Sequence, residues 1–177
     1  SLNLIELGEQ EFKIFNDELE DILIKDFLNT NPRKWPKVKK DRLGIFSKDF
    51  LNSIFKTVIS IDMVINCNKT IKFNLIENIE DKITDKFDIL TNFGTTEHIG
   101  QYDDVYKNTQ YNVFKNIHTL VKKNGIVFNI VPEIKKKKSK IHGAFNYTYK
   151  FFEELAKYCN YNIIYNEIKN RGNINHV

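Results

Sequence analysis

Hydrophobic residues along this chain occur in two patterns, short apolar runs and longer segments with an apolar residue every three or four positions. The short runs predict β-strands over residues 2–7, 57–63, 70–75, 87–91, 126–131 and 162–168. The longer segments, and a short one that Ser47 would cap, predict helices over residues 9–29, 48–55, 111–122 and 149–159. Strands that alternate with helices predict an α/β fold with a mostly parallel sheet covered on both faces.

Three of the segments between these elements predict loops or turns: residues 31–44, 133–139 and 170–177. In the first of them Trp35 lies among lysines, a pattern that single-strand nucleic-acid binders also use. In the second, the run KKKK could hold a phosphate-bearing substrate. Solvated loop charge is the favoured interpretation of both, because lysine rather than arginine carries the net charge of +4.

The composition is that of one soluble globular domain. A chain of 177 residues can bury a sizeable core, and 41% apolar with 28% charged residues excludes a disordered chain. No apolar run approaches the ~18 residues of a membrane span, and the lack of a visible secretory signal predicts a cytoplasmic protein. Cys67 and Cys159 have no partners at metal-ligand spacing and are predicted to be buried small residues in a reducing compartment.

Polar residues collect where three of the predicted strands end. The strand over 87–91 runs into Asn92, Gly94, Thr95, Thr96, Glu97 and His98. The first strand ends at Glu6-Leu7-Gly8, and the second ends at Asp62. Taken singly, Gly8 fits a simple tight turn and Asp62 a surface acid. Taken together they predict one crevice, because open α/β sheets bind ligands at the carboxyl edge of their strands.

This ordered set resembles the class I S-adenosylmethionine-dependent methyltransferases. The resemblance is carried by ELG after the first strand, Asp62 after the second and NFGTTEH after the fourth. The stretches NVFKNIHTLVKKNGIVFNIVP and HGAFNYTYKFFEELAKYCNYNI are similar to the second half of those domains. The chain is most similar to a poorly characterised bacterial-type subgroup with TTEH after the fourth strand and HG-x-x-N after the fifth. The resemblance covers essentially the whole chain from Leu2 onward.

The resemblance implies a Rossmann-like sheet with helices on both faces and an antiparallel strand near the C terminus. It implies one domain over residues 1–177 that lacks the leading helices and a complete last strand, so that a homodimer would be one way to supply the missing cover. Two positions depart from the family pattern, because Gln10 replaces the usual second glycine and Asn74 replaces an acid. The segment between the first two strands is also about twice as long as a single crossover.

The resemblance also implies a cofactor, S-adenosylmethionine, and the residues that would bind it. Those residues are Glu6, Gly8, Gln10, Asp62, Met63, Asn74, Asn92, Phe93, Gly94 and Thr95. Glu6 and Gly8 would lie under the methionine and ribose parts, and Asp62 would accept hydrogen bonds from the ribose hydroxyls. Met63 and Asn74 would contact the adenine, and the residues from Asn92 to Thr95 would line the methyl-donor side.

Methyl transfer requires alignment of the acceptor with the methyl group and, for an oxygen or nitrogen acceptor, removal of a proton. Histidine suits that second task near neutral pH, and His98 and His142 are the candidate bases. Glu97 could orient His98 or pair with a substrate amine. His118 falls on the apolar face of a predicted helix, which favours a core or helix-packing role, and His176 at the chain end indicates little.

Other enzyme classes lack their motifs. The sequence has no G-x-x-x-x-G-K-[ST] phosphate loop, no G-x-G-x-x-G, no Cys/His set for zinc and no evident glycosidase carboxylate pair. The favoured hypothesis is therefore a methyltransferase for a small molecule, such as a sugar or another metabolite. The alternative is a catalytically inactive methyltransferase-like module that binds a ligand or has a structural role. Modification of nucleic acid through the basic loops is a weaker third hypothesis.

Overall fold

The computed structural model describes residues 2–9, 11–13, 44–46, 51–52, 54–65, 69–100, 109–133 and 143–168. The strands are β1 Asn3–Leu7, β2 Glu11–Lys13, β3 Gly44–Phe46, β4 Thr57–Asp62, β5 Thr70–Lys72, β6 Phe87–Phe93 and β7 Val121–Ile130. The α-helices are α1 Thr109–Leu120 and α2 Tyr149–Cys159, and two 3-10 turns are η1 Ile79–Asp81 and η2 Thr96–His98. The protein is therefore α/β, as the hydrophobic pattern predicts.

Five of the strands form one parallel sheet in the order β5-β4-β1-β6-β7. Strand β1 lies in the middle, with Leu4 beside Val58 of β4 and Ile89 of β6. From β1 the chain builds outward through β4 to β5, and then returns to the other side of β1 for β6 and β7. The direction of building thus reverses between β1 and β6, and such a reversal opens a crevice at the carboxyl ends of the strands.

The core explains why three of the five residues of β1 are apolar. Leu4, Ile5, Glu6 and Leu7 are all at most 2% exposed, so both faces of this strand are covered. Ile5 and Leu7 join one hydrophobic cluster with Leu90 and with the buried face of α1, which consists of Val113, Phe114, Ile117 and Leu120.

Helix α2 packs on the same side of the sheet as α1. The ring of Phe114 on α1 lies 5.1 Å from that of Phe151 in an edge-to-face arrangement. The start of α2 is fixed by Thr148, whose side chain accepts a hydrogen bond from the Phe151 backbone N–H at 3.1 Å. The other two predicted helices, over residues 9–29 and 48–55, fall largely outside the described residues.

The predicted helix over residues 9–29 is wrong at its start. Glu11–Lys13 is a strand, β2, which pairs antiparallel with β3, so that Glu11 lies beside Phe46. Three residues with the order charged, apolar, charged fit a strand as well as a helix, and the distant partner decides between them. Residues 14–29 lie outside the described residues. Within the predicted helix over 48–55, the Leu51 carbonyl accepts the helical bond from the Phe55 N–H at 2.8 Å.

The predicted strand over residues 162–168 is also wrong, because this segment has no regular secondary structure. Helix α2 ends with Asn160 in the left-handed conformation, at φ 56°, and the Tyr161 N–H returns to the Ala156 carbonyl at 2.8 Å. Residues 162–168 have a high intrinsic preference for strand, but they pair with no described strand. A β-strand depends more on pairing with a neighbour than on the intrinsic preference of its residues. The sheet is parallel throughout the described residues, so the antiparallel strand expected near the C terminus is absent from them.

Strand β7, which the sequence predicts over residues 126–131, begins earlier than predicted. Strand β7 starts at Val121, which pairs with Phe87, but the next pair joins Ile126 to Ile89. The intervening residues form an irregularity in which Asn124 takes a φ of 65°. The turn signal at Asn124 thus marks a kink within the strand, and the helix before it ends at Leu120. Among the described helices, none combines the length and the apolar character that crossing a bilayer requires.

Candidate functional site

The carboxyl ends of the central strands are tied together by hydrogen bonds from their turns. The Thr95 hydroxyl, after β6, donates to the Leu7 carbonyl of β1 at 2.7 Å. The Gly8 N–H donates to the Ile61 carbonyl of β4 at 2.8 Å. Gly8 and Gly94 have φ of 75° and 72°, a left-handed conformation that side chains other than glycine rarely adopt. Two of the predicted site segments therefore meet at the crevice.

Asp62 joins the third segment to the first. Its Oδ2 accepts a hydrogen bond from the Glu9 N–H at 2.9 Å, and its Oδ1 accepts one from the Val64 N–H at 3.0 Å. The side chain is partly exposed, and an ionised carboxylate has about four acceptor positions. Asp62 can therefore hold the two turns and still accept hydrogen bonds from ligand hydroxyls.

A cleft of about 460 Å³ opens beside Asp62. Its walls are Met63, Lys72, Phe73, Asn74, Glu77, Asn78, Asp81 and Lys82. Asn74 Oδ1 accepts from the Ile76 N–H at 3.2 Å, and its amide nitrogen has no hydrogen-bond partner within the described part of the chain. The two residues predicted to contact adenine, Met63 and Asn74, thus line the same cleft, where an apolar side chain and a free amide could contact a heterocyclic ring.

The TTEH segment forms the turn η2, which polar side chains from neighbouring strands hold in place. Asn92 is fully buried at the end of β6, and its Nδ2 donates to Thr96 Oγ1 at 2.9 Å and to Asn129 Oδ1 at 3.0 Å. Its Oδ1 accepts from the Thr96 N–H at 3.2 Å. A buried amide that is fully bonded in this way fixes the turn relative to the sheet.

Two further side chains hold the same turn from the opposite side. The Tyr147 hydroxyl donates to Gln110 Oε1 at 2.7 Å and is hydrogen-bonded to Thr96 Oγ1 at 3.0 Å. Gln110 Nε2 in turn donates to the carbonyls of Thr96 and Ile99 at 2.9 and 3.2 Å. Burial, with a smaller contribution from the negative charge of Glu97, raises the pKa of Tyr147 to about 12.

The substitution Tyr147→Phe should lower the free energy of unfolding at pH 7 by about 1–2 kcal/mol, because Thr96 loses a buried hydrogen bond and Gln110 a partly buried one. The raised pKa of Tyr147 stabilises the fold below pH 10, and this stability is lost as the pH rises from 10 towards 12. The variant should therefore lose less stability over that window than the parent. Urea denaturation at pH 7 and pH 10.5 measures both effects, and Tyr111→Phe, at an exposed tyrosine, is the control. Equal alkaline losses in parent and variant would contradict the assignment.

Glu97 is buried within this turn, with a side chain only 1% exposed. Its backbone carbonyl accepts bonds from the Ala144 and Phe145 N–H groups at 2.7 and 3.0 Å. Its Oε1 lies 3.8 Å from Nε2 of His98, whose side chain is 43% exposed. Its Oε2 is buried and has no hydrogen-bond partner among the residues that the structure describes.

Of the other predicted site residues, two are described by the structure and two are not. Glu6 is buried one position before the end of β1, where it accepts a hydrogen bond from the Ser60 hydroxyl at 3.3 Å. Phe93 is partly buried at the end of β6. Gln10 and His142 lie outside the described residues, as do His176 and Cys67.

The sequence predicts a core or helix-packing role for His118, and it is not a core residue. It is exposed, with Nδ1 2.7 Å from the Tyr161 hydroxyl, and so packs against the chain that follows α2. Cys159 is only partly buried. No group of acids, histidines and cysteines suited to a metal ion occurs among the described residues.

Sequence reasoning missed Gln110, Asn129 and Tyr147. Gln110 lies in the first turn of α1, Asn129 near the end of β7, and Tyr147 just before α2. Their partners lie 11 to 51 positions away along the chain, so no local pattern marks them. Tyr147 reaches the turn because its N–H bonds to the Pro132 carbonyl at 3.0 Å, beside the end of β7.

Comparison with protein-family models, curated proteins and solved structures gives no match. The methyltransferase resemblance remains a prediction from the ordered motifs.

Proposed function

We propose that this chain is a class I S-adenosylmethionine-dependent methyltransferase that acts on a small-molecule acceptor, such as a sugar or another metabolite. The observation that best supports the proposal is the geometry around Asp62. This acid stands at the carboxyl edge of the sheet, bonded to the turn after β1, and the cleft beside it contains Met63 and Asn74. These are the positions that the resemblance assigns to ribose and adenine contacts.

The residues of the crevice fit such a ligand. Gly8 has no side chain to obstruct a ligand that approaches the backbone after β1. Asp62 keeps acceptor capacity for hydroxyls beyond its two backbone bonds. Asn74 offers a ring acceptor an amide nitrogen that has no partner among the described residues. When bound, S-adenosylmethionine would supply a methyl group on a positively charged sulfur. The turn η2, clamped by Asn92 and Tyr147, would then fix the residues beside that group.

Calorimetric titration of the purified chain with S-adenosylmethionine and S-adenosylhomocysteine tests the proposal. Micromolar binding of either ligand, at one site per chain, is the expected result. A folded chain that binds neither ligand would contradict the proposed function. The alternative, a module that binds another ligand or has a structural role, would then be favoured. Binding without turnover for any acceptor would favour the inactive module instead.

Replacing Asp62 by alanine should weaken S-adenosylhomocysteine binding more than tenfold, or by at least about 1.4 kcal/mol. The substitution removes the ribose acceptor and also releases the Glu9 and Val64 N–H groups that shape the turns. Asp62→Asn keeps one acceptor oxygen, so its loss of affinity should be intermediate. Asp85→Ala, at an exposed acid, is the matched control and should bind as the parent does. Unchanged affinity in Asp62→Ala with an unchanged circular dichroism spectrum would rule out this cofactor site.

A further inference from the structure

Glu97 combines complete burial with an incomplete set of partners. Within the described part of the chain, Oε2 has no hydrogen-bond donor, and no lysine or arginine forms an ion pair with this carboxylate. The His98 imidazole lies 3.8 Å from the other carboxylate oxygen. A buried polar atom without a partner destabilises the folded state, so a carboxylate kept in this condition needs an explanation outside the fold.

A structural role does not account for this side chain. Glu97 lies in a turn of three residues whose N-cap, Thr95, makes no side-chain capping bond. The neighbouring chain is held by the Glu97 backbone carbonyl, which accepts from Ala144 and Phe145, and the carboxylate takes no part in these bonds. The turn itself is fixed by Thr96 and its bonds to Asn92 and Tyr147. The backbone at Glu97 is therefore held in place, while Oε2 of the carboxylate has no hydrogen-bond partner among the described residues.

Two glycines lie close to Glu97, one near its carboxylate and the other near its backbone carbonyl and Cγ. A Cβ added to Gly94 would lie 3.4 Å from Glu97 Oε1, and a Cβ added to Gly143 would lie 2.9 Å from Glu97 Cγ. Both glycines have positive φ, at 72° and 89°, so other residues are disfavoured at both positions. Neither glycine has a side chain to place against Glu97, and the partly exposed imidazole of His98 lies 3.8 Å from Oε1.

We propose that Glu97 binds the methyl acceptor, and that the acceptor is a hydroxyl or amine compound whose O–H or N–H donates to Oε2. The proposal rests on the methyltransferase function above, which assigns Gly94 to the methyl-donor side of the crevice. During transfer the acceptor's oxygen or nitrogen bonds to the methyl carbon as that carbon's bond to sulfur breaks. The sulfur becomes a neutral thioether, and the acceptor's proton passes to the Glu97 carboxylate. A carbon or thioether acceptor has no such donor and is excluded.

The test uses S-adenosylmethionine with a tritiated methyl group and a defined panel of sugars, amino sugars, phenols, amines, thiols and activated carbon acids. The parent, Glu97→Gln and the control Glu80→Gln, which changes an exposed acid of η1, are assayed for transfer. Calorimetry with S-adenosylhomocysteine measures cofactor binding in each chain, and thermal denaturation measures folding. Glutamine preserves the shape of Glu97, but it can neither accept a proton nor offer a second anionic oxygen.

The expected result is labelling of a hydroxyl or amine compound by the parent and a loss of at least 100-fold in kcat for Glu97→Gln. Cofactor affinity should stay within twofold and the melting temperature should not fall, because Oε2 has no bond to lose. Transfer to carbon or sulfur, activity of Glu97→Gln within threefold of the parent, or a markedly lower melting temperature would each overturn the inference. So would a parent that binds S-adenosylhomocysteine yet labels nothing in the panel, whereas failure of the parent to bind it overturns the proposed function as well.

Discussion

Replacing Gly143 by alanine should lower the free energy of unfolding by about 3 kcal/mol. Gly143 has a φ of 89°, a conformation that costs a residue with a side chain on the order of 1–3 kcal/mol. The added Cβ would also lie 2.8 Å from the Glu97 carbonyl oxygen and 2.9 Å from Glu97 Cγ, so the backbone would have to shift. That shift would strain the bonds by which Ala144 and Phe145 donate to the same carbonyl.

Urea denaturation followed by circular dichroism measures this loss. Ala144→Ser, at the exposed neighbouring position, is the matched control and should change the free energy of unfolding by no more than about 0.5 kcal/mol. If Gly143→Ala lost less than about 1 kcal/mol, the close packing of this segment on Glu97 would be wrong. The substitution also tests the site, because it displaces the residue that we propose to bind the acceptor.

The parts of the fold that follow from the sequence are those set by local pattern. Strand β1 contains Leu4, Ile5 and Leu7 because a central parallel strand is covered on both faces, and the burial of these three residues agrees with this. Helix α2 has the predicted bounds because Thr148 caps its start and Asn160 ends it in the left-handed conformation. The position of the crevice also follows, since it depends only on where strands end and on their order.

The parts that do not follow depend on partners distant in the chain. Glu11–Lys13 becomes a strand because Gly44–Phe46 pairs with it, and the three residues of β2 alone do not indicate that partner. Residues 162–168 have the composition of a strand but pair with no described strand, so they form no ladder. In both segments the tertiary environment overrides the local preference.

The same distinction applies within the candidate site. Asp62 and Glu97 are conspicuous in the sequence because each is an acid that follows an apolar run, and the structure locates both at the carboxyl edge. The residues that hold the turn are not conspicuous, because Gln110 and Tyr147 lie in segments with no functional pattern. The position of candidate site residues is thus easier to predict than the side chains that support them, since support depends on contacts made in the folded chain.

Asn116 is the clearest example of such support, and replacing it by alanine should lower the free energy of unfolding by about 4 kcal/mol. Asn116 is buried on α1, and its Nδ2 donates to the carbonyls of Leu75 and Glu77 at 2.8 and 2.7 Å. Its Oδ1 accepts from the N–H of Ile79 at 3.2 Å. Alanine would leave these backbone groups without partners, at about 1–3 kcal/mol for each group that remains buried.

The neighbouring Asn112→Ala is the matched control, because Asn112 makes a single bond, from its Nδ2 to the Ile76 carbonyl at 3.1 Å, and should lose no more than about 1.5 kcal/mol. Urea denaturation of both variants measures the difference, and equal losses would mean that Asn116 does not hold this segment. The segment also forms one wall of the cleft beside Asp62, through Glu77, Asn78 and Asp81. Asn116→Ala should therefore weaken S-adenosylhomocysteine binding even under conditions in which the variant is fully folded. Asn112→Ala should not, because its one lost bond leaves the three that anchor the wall intact.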